Sequence, residues 1–236
     1  MRDGEVGVVL LAAGRGLRMG ADTPKAYLPL GGKPILQHSL EAFDASPLVS
    51  EIVLVIHPED QSMLDTRVLP AYEPTSTLKV IYGGEHRQDS TQAGVRAVRS
   101  PWVAVHDAVR PFVSDALIVR VAEAAAAYRA ALPAIPIPDT VKSVDEDAFA
   151  LGDVDRETLQ LAQTPQCFEQ LLLDRALDDA ERAGRYFTDE AGVVLAQNGI
   201  KSRTVPGEAT NLKVTTPQDL ALAEAMLEAG LIARIA

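Results

Sequence analysis

Val6-Gly-Val-Val-Leu-Leu-Ala-Ala-Gly-Arg-Gly-Leu-Arg-Met-Gly20, followed by Pro24-Lys25, is the stretch on which the reading of this chain turns. Its first seven residues are apolar and β-branched with no alternation, the pattern of a strand buried on both faces. Small residues then let backbone N–H groups approach a phosphate. Two familiar phosphate loops do not fit. The dinucleotide pattern G-x-G-x-x-G fails at Met19, and neither Gly14 nor Gly16 opens the spacing G-x-x-x-x-G-K-[ST]. What remains is a distinct loop that gathers Arg15, Arg18 and Lys25 against one acid, Asp22.

Working outward, apolar runs alternate with stretches of helical period. Strands are expected at Ile52–Ile56, Leu78–Tyr82 and Trp102–Val105, and helices over 34–43, 89–98 and 114–128. Asp89 reads as a helix cap answered by Gln92, and Ser114 as the cap of an alanine-rich helix. An amphipathic stretch follows Pro58 to about Leu69. This order predicts an α/β fold, a mostly parallel sheet with helices on both faces. The pattern breaks between Leu132 and Thr164, where short extended pieces around Asp145-Glu-Asp147 predict a hairpin projecting from the sheet at about 138–162. Helices are expected again over 168–183, 189–197 and from Thr216-Pro217 to before Gly230, with a strand over 201–205. No linker splits the chain, so residues 1–236 read as one domain, with no fused second enzyme expected.

The chain has 236 residues and a net charge of −11. Its overall field repels nucleic acid and anionic membranes, so an anionic ligand must be met by a local basic cluster. The opening loop is such a cluster. Cys167 is the only cysteine, which excludes an intrachain disulfide, suits a reducing cytoplasm and reads as a small core residue. No apolar run reaches a membrane span. The short run Val6–Ala13 reads as a buried strand rather than a secretory signal, because Asp3 and Glu5 cancel the charge of Arg2.

In open parallel sheets ligands lie beyond the carboxyl ends of the strands. Gly83-Gly84-Glu-His-Arg-Gln-Asp-Ser90 offers close backbone approach at one such end. Val105-His-Asp-Ala-Val-Arg-Pro111 places Asp107 where a carboxylate orients a ribose or holds Mg²⁺, with Arg110 free to pair with it or with a phosphate. His106, alone at the end of a buried strand, reads as structural. Lys213, in Asn211-Leu-Lys-Val-Thr215, is either a phosphate-neutralising strand-end cation or a surface lysine beside a capped helix.

These pieces, with Asp139-Thr-Val-Lys142, Thr164-Pro-Gln166 and Thr188-Asp-Glu-Ala191, run in order along almost the whole chain. Together they resemble the 2-C-methyl-D-erythritol 4-phosphate cytidylyltransferases of the non-mevalonate isoprenoid pathway. The resemblance implies a nucleotidyltransferase-type, Rossmann-like sheet that moves a cytidylyl group from CTP to a polyol phosphate. It assigns CTP to Ala12, Ala13, Gly14, Gly16, Gly83, Gly84, Ser90, Asp107 and Ala108. The acceptor falls to Asp107, Arg110, Thr140, Arg156, Thr188 and Lys213. It makes Arg18, Lys25, Arg156 and Lys213 the catalytic cations, with Mg²⁺ held mainly by the CTP phosphates and Asp107. It further implies a cytoplasmic homodimer in which Thr140 and Arg156 act in trans. The chain departs from the family at Thr210, where an acid is usual, and at Ala26, where Gln is common. Transfer to another polyol phosphate such as ribitol 5-phosphate, or CTP binding without turnover, are the alternative readings. A dinucleotide-dependent oxidoreductase already fails at Met19.

Overall fold

The computed structural model describes residues 1–14 and 23–232. Arg15, Gly16 and Arg18 lie outside the described residues. The first strand, β1 (Val6–Leu11), is followed by a small ribbon of β2 (Pro29–Leu30) and β3 (Lys33–Pro34) and by α1 (Ile35–Asp44). Next come β4 (Val49–Ile56) and, over the amphipathic stretch after it, a continuous helical run at 58–71 in which the α-helical turn α2 (Gln61–Met63) is flanked by 3₁₀ and π turns. Pro58 opens this run at a first-turn position, where its missing N–H is not needed.

Then follow β5 (Thr77–Tyr82), α3 (Arg87–Ala97), β6 (Trp102–Asp107), α4 (Asp115–Tyr128) and β7 (Ala130–Pro136). The hairpin β8 (Val141–Val144) and β9 (Ala150–Val154) stands apart from the main sheet, with Lys142 of one strand paired to Asp153 of the other. The chain returns through β10 (Gln160–Ala162), β11 (Gln166–Glu169), α5 (Gln170–Arg182), α6 (Glu190–Asn198), β12 (Arg203–Pro206) and α7 (Pro217–Glu228).

The main sheet has eight strands in the order β10-β7-β11-β6-β1-β4-β5, with β12 on β7. β5, β4, β1 and β6 are parallel neighbours, so their carboxyl ends share one edge. Val6, Val8, Val9 and Leu10 of β1 are fully buried because its two faces feed two cores. Val8 and Leu10 join α1, α4 and α7 on one side, and Val9 joins α3, α5 and α6 on the other. That explains the missing alternation in the sequence. α3 packs so closely on the sheet that a Cβ at Gly94 would lie 2.3 Å from Val9 Cγ1.

Three expectations need correction. α3 begins at Arg87 with His86 as N-cap, and Asp89 is the third helical residue, whose carboxylate accepts from the His86 N–H at 2.9 Å. Phe168 belongs to β11 rather than to a helix; it is fully buried, and α5 starts only at Gln170. Leu132–Pro136 is a strand of the main sheet and not part of an excursion. Pro133 and Pro136 argue against a central strand by sequence, yet β7 is paired along its length with β12, β11 and β10.

β10 and β11 run antiparallel along the same edge of β7, with Ala162 opposite Ala134 and Cys167 opposite Ala131. The intervening Gln163-Thr-Pro-Gln segment therefore carries two residues more than its partner. This bulge, which contains the cis Thr164–Pro165 bond, turns Thr164 toward the end of β6.

Gly94→Ala tests the seating of α3. Helix propensity alone favours alanine by about 1 kcal/mol, whereas overpacking a core costs about 1–3 kcal/mol. The denaturation midpoint should fall. A midpoint at or above wild type would mean that α3 can lift off Val9 freely.

Candidate active site

The carboxyl ends of β1, β4, β5 and β6 surround a cavity of about 550 Å³. Short bonds carry the ladder past the strand ends: Ala12 N–H to Val55 O (2.8 Å), Gly83 N–H to Ile56 O (2.9 Å) and Ala108 N–H to Leu11 O (3.0 Å). Ala12, Ala13 and Gly14 form one wall. Gly83 must be glycine there, because a Cβ would sit 2.5 Å from Ser90 Oγ and 2.7 Å from Ala13 Cβ. Ser90 Oγ accepts from the Gly84 N–H at 3.2 Å and donates to His86 O at 3.3 Å, so it braces the loop that faces the cavity. Gly84, Ser90 and Lys25 line the cavity as expected from sequence. Lys25 opens a single helical turn whose next residues, Ala26 and Tyr27, are buried anchors.

Opposite this wall, Asp107 is the meeting point of three cations. Its Oδ2 accepts from Lys213 Nζ at 2.8 Å, and its Oδ1 from Arg87 Nε and Nη2 at 3.4 and 3.3 Å. Arg110 Nε lies 4.0 Å from Oδ2. Burial pushes the Asp107 carboxyl up, but Arg87, Lys213 and Arg110 outweigh it and hold the group well below the usual carboxylate range. The Asp107 N–H donates to Thr164 Oγ1 at 3.2 Å, and that hydroxyl contacts His106 Nδ1 at 3.0 Å. His106 Nε2 meets Arg110 O at 3.1 Å, and burial lowers its pKa to about 4, so the ring is a neutral spacer behind Asp107. Its structural role was expected.

Lys213 does not end a strand, as its sequence context suggested. It lies in an irregular segment pinned by the Val214 N–H to Val109 O bond (2.8 Å). Arg110 turns partly away from the cavity and donates from Nη1 to Asn211 O at 2.8 Å. Ala108 is fully buried against the core. Thr140, Arg156 and Thr188 are exposed and do not line the cavity of their own chain. Arg156 Nη1 donates to Pro138 O within the hairpin. Thr210 lines a different cavity, of about 500 Å³, beside Glu208 and Leu227.

The chain matches the family model of 2-C-methyl-D-erythritol 4-phosphate cytidylyltransferase over residues 6–229. It belongs to that family. Among relatives, the cytidylyltransferase of that name from Caldanaerobacter subterraneus subsp. tengcongensis is 39% identical over 224 residues, covering 94% of this chain and 98% of its own. Among solved structures, 2-C-methyl-D-erythritol 4-phosphate cytidylyltransferase from Thermus thermophilus is 37% identical with a TM-score of 0.77. It covers 97% of this chain and 100% of its own. The 4-diphosphocytidyl-2C-methyl-D-erythritol synthase from Anaerococcus prevotii is 29% identical with a TM-score of 0.83, covering 95% and 96%. The nucleotidyltransferase-type fold expected from the sequence is therefore that of the cytidylyltransferase family.

Two residues of this cytidylyltransferase site went unassigned from sequence. Arg87, at the start of α3, fell within the Gly83–Ser90 segment with no role of its own, and Glu190, at the start of α6 behind the cap Asp189, fell within Thr188-Asp-Glu-Ala191 with none. Glu190 is only 2% exposed and grips Arg87, Nη1 to Oε1 at 2.6 Å and Nη2 to Oε2 at 3.2 Å. The signal was an acid directly following a helix cap, which one sequence cannot separate from dipole complementarity.

A depressed carboxyl pKa adds stability that is fully present above the unfolded value of about 3.9 and fades as pH falls below it. Asp107→Asn should therefore cost of order 2 kcal/mol at neutral pH. This is less than a fully buried pair, since Arg87 and Lys213 side chains are about a third exposed. Denaturant titrations of both proteins should show the gap closing below pH ~4. A gap independent of pH would remove the ion pairs as its cause.

Proposed function

We propose that this cytidylyltransferase family member transfers the cytidylyl group of CTP to 2-C-methyl-D-erythritol 4-phosphate in the cavity at the carboxyl ends of β1, β5 and β6. The observation that carries the reading is that Lys25 and Lys213 line one cavity, with Asp107 holding the second lysine. A phosphate monoester has a second pKa near ~6, so at neutral pH the acceptor is largely a dianion and needs no general base. The barrier is repulsion between that dianion and the triphosphate, and positioned cations lower it. A 4-phosphate oxygen attacks the α-phosphorus in line. The new P–O bond forms as the bridge to the β-phosphorus breaks, and pyrophosphate leaves with the bond electrons.

Lys25 and Arg18 stabilise the charge growing on the α-phosphate and the leaving group, while Lys213 moves from Asp107 to the attacking phosphate. The walls at Ala12, Ala13, Gly14, Gly83, Gly84 and Ser90 hold the nucleoside. Asp107, Arg110 and Thr188 orient the acceptor hydroxyls. Mg²⁺ takes a carboxylate or two together with phosphate oxygens, and Asp107 is the carboxylate that would join the triphosphate in holding it. When bound it neutralises triphosphate charge. Among the described residues, no three His, Cys, Asp or Glu side chains are grouped to hold a metal without substrate.

The homodimer, with Thr140 and Arg156 reaching the partner's site, is supported by the hairpin's own chemistry. Phe149 and Leu151 are 70% and 68% exposed, apolar surface that a second copy would cover. No helix among the described residues is long and apolar enough to cross a membrane. A cytoplasmic setting accords with charged, water-borne substrates and a lone thiol.

Lys25→Ala should lower kcat by about 10²–10³ while changing the KM for CTP far less. Near-normal turnover would strike Lys25 from the catalytic cations. The trans arrangement has its own test. Lys25→Ala and Arg156→Ala chains, each inactive alone, should recover part of the activity when refolded together, since one mixed site is intact. No recovery despite confirmed mixed dimers would place Arg156 in its own chain's site.

A further inference from the structure

The strongest unassigned feature is the row of side chains running from α6 into the cavity. Thr91 Oγ1 donates to Glu190 Oε1 at 3.0 Å, Glu190 grips Arg87 through both oxygens, Arg87 reaches Asp107 Oδ1, and Asp107 Oδ2 holds Lys213. Glu190 touches neither Asp107 nor Lys213 in this row and does not line the cavity. It is nevertheless a fully desolvated charge, and its only charged partner among the described residues is Arg87.

Arg87 thus stands between two carboxylates. With Glu190 in place the guanidinium gives its one short bond to Glu190, from Nη1 at 2.6 Å, shares Nη2 between Glu190 at 3.2 Å and Asp107 at 3.3 Å, and reaches Asp107 from Nε only at 3.4 Å. Asp107 keeps enough free charge to hold Lys213 at 2.8 Å and to accept from a bound hydroxyl. Without that charge on Glu190, Arg87 would have one carboxylate left and would close on it. Asp107 would turn, and Lys213 would lose its seat.

We propose that Glu190 is a positioning residue for the acceptor side of the site, acting through Arg87 to set the orientation and free charge of Asp107 and the place of Lys213. This rests on the assignment of Asp107 and Lys213 to the acceptor given above. The nucleotide loop is braced separately, by the His86 N–H to Asp89 bond and the Ser90 bonds to Gly84 and His86, none of which involves the Arg87 side chain. The effect should therefore fall mainly on the acceptor and reach CTP only through the share Asp107 takes in holding Mg²⁺, which is small beside that of the triphosphate oxygens.

Steady-state kinetics of the full chain, varying CTP and 2-C-methyl-D-erythritol 4-phosphate separately, test this with three variants. Glu190→Gln keeps the shape and removes the charge. It should raise the acceptor KM about tenfold while the CTP KM moves by less than about twofold. Thr91→Val is isosteric and loosens Glu190 without touching any charge; it should give the same split, about threefold, and decides the matter if Glu190→Gln does not fold.

In an Asp107→Asn background, Glu190→Gln should add nothing to the acceptor KM, because the two act in series. Equal shifts in both KM values, no shift, or an additive effect would overturn the proposal, since a merely structural glutamate lowers stability without splitting the substrates. If Asp107→Asn alone leaves the acceptor KM unchanged, the acceptor-side assignment itself fails. That outcome is distinct from an inert Glu190 beside a working Asp107.

Discussion

One carboxylate, shared among three cations at the end of a buried strand, is the constraint on which this site depends. Asp107 leaves the sheet nine-tenths buried, where an unpaired charge would be intolerable. Its partners are therefore obligatory, and they come from three separate parts of the chain: Arg87 from α3, Arg110 from the turn after β6, and Lys213 from the segment before α7. Folding must bring all three together before the carboxylate is satisfied. The same requirement holds a lysine at the cavity wall, ready to exchange one anion for another. A buried ion pair is weak evidence for stability, so its value here lies in placing charge rather than in tightening the fold.

The architecture delivers these groups by ordinary packing. Parallel β1, β4, β5 and β6 end on one edge, and glycine at positions 83 and 94 lets a loop and a helix approach more closely than any side chain allows. The two-residue bulge between β10 and β11 carries Thr164 to the Asp107 amide and to His106. Asn211 Nδ2 fastens the same bulge by donating to Thr164 O at 2.8 Å, while its own carbonyl receives Arg110. A polar layer behind the cavity thus joins segments that are distant in sequence, and His106 serves that layer as a neutral ring.

Much of this was legible in the sequence, for physical reasons. Buried parallel strands announce themselves by unbroken apolar runs, and Ser114, Thr216-Pro217 and the glycine pairs mark ends that the structure keeps. The basic loop stood out because the chain around it is so acidic. The parts that stayed hidden depend on distant partners. β7 carries prolines that local pattern rules read as an interruption, and only its three neighbours make it a strand. Phe168 looked helical because the apolar run of α5 begins just after it. Asp89 offered a cap by its type, and only the bond back to His86 shows it to be the third residue. Arg87 and Glu190 lie 103 positions apart, and no local signal pairs an arginine with a particular distant acid.

Cation placement without a protein base is the centre of the account, since the acceptor's own second ionisation supplies the nucleophile. Pyrophosphate release by the purified protein with Mg²⁺, CTP and 2-C-methyl-D-erythritol 4-phosphate, followed from pH 5 to 9, tests it most directly. The account predicts release only when both substrates are present, weak with ribitol 5-phosphate or with other nucleoside triphosphates, rising through a single ionisation near pH ~6 to a plateau. Release without the acceptor, a preference for ribitol 5-phosphate, or a bell-shaped profile demanding a protein acid and base would contradict it.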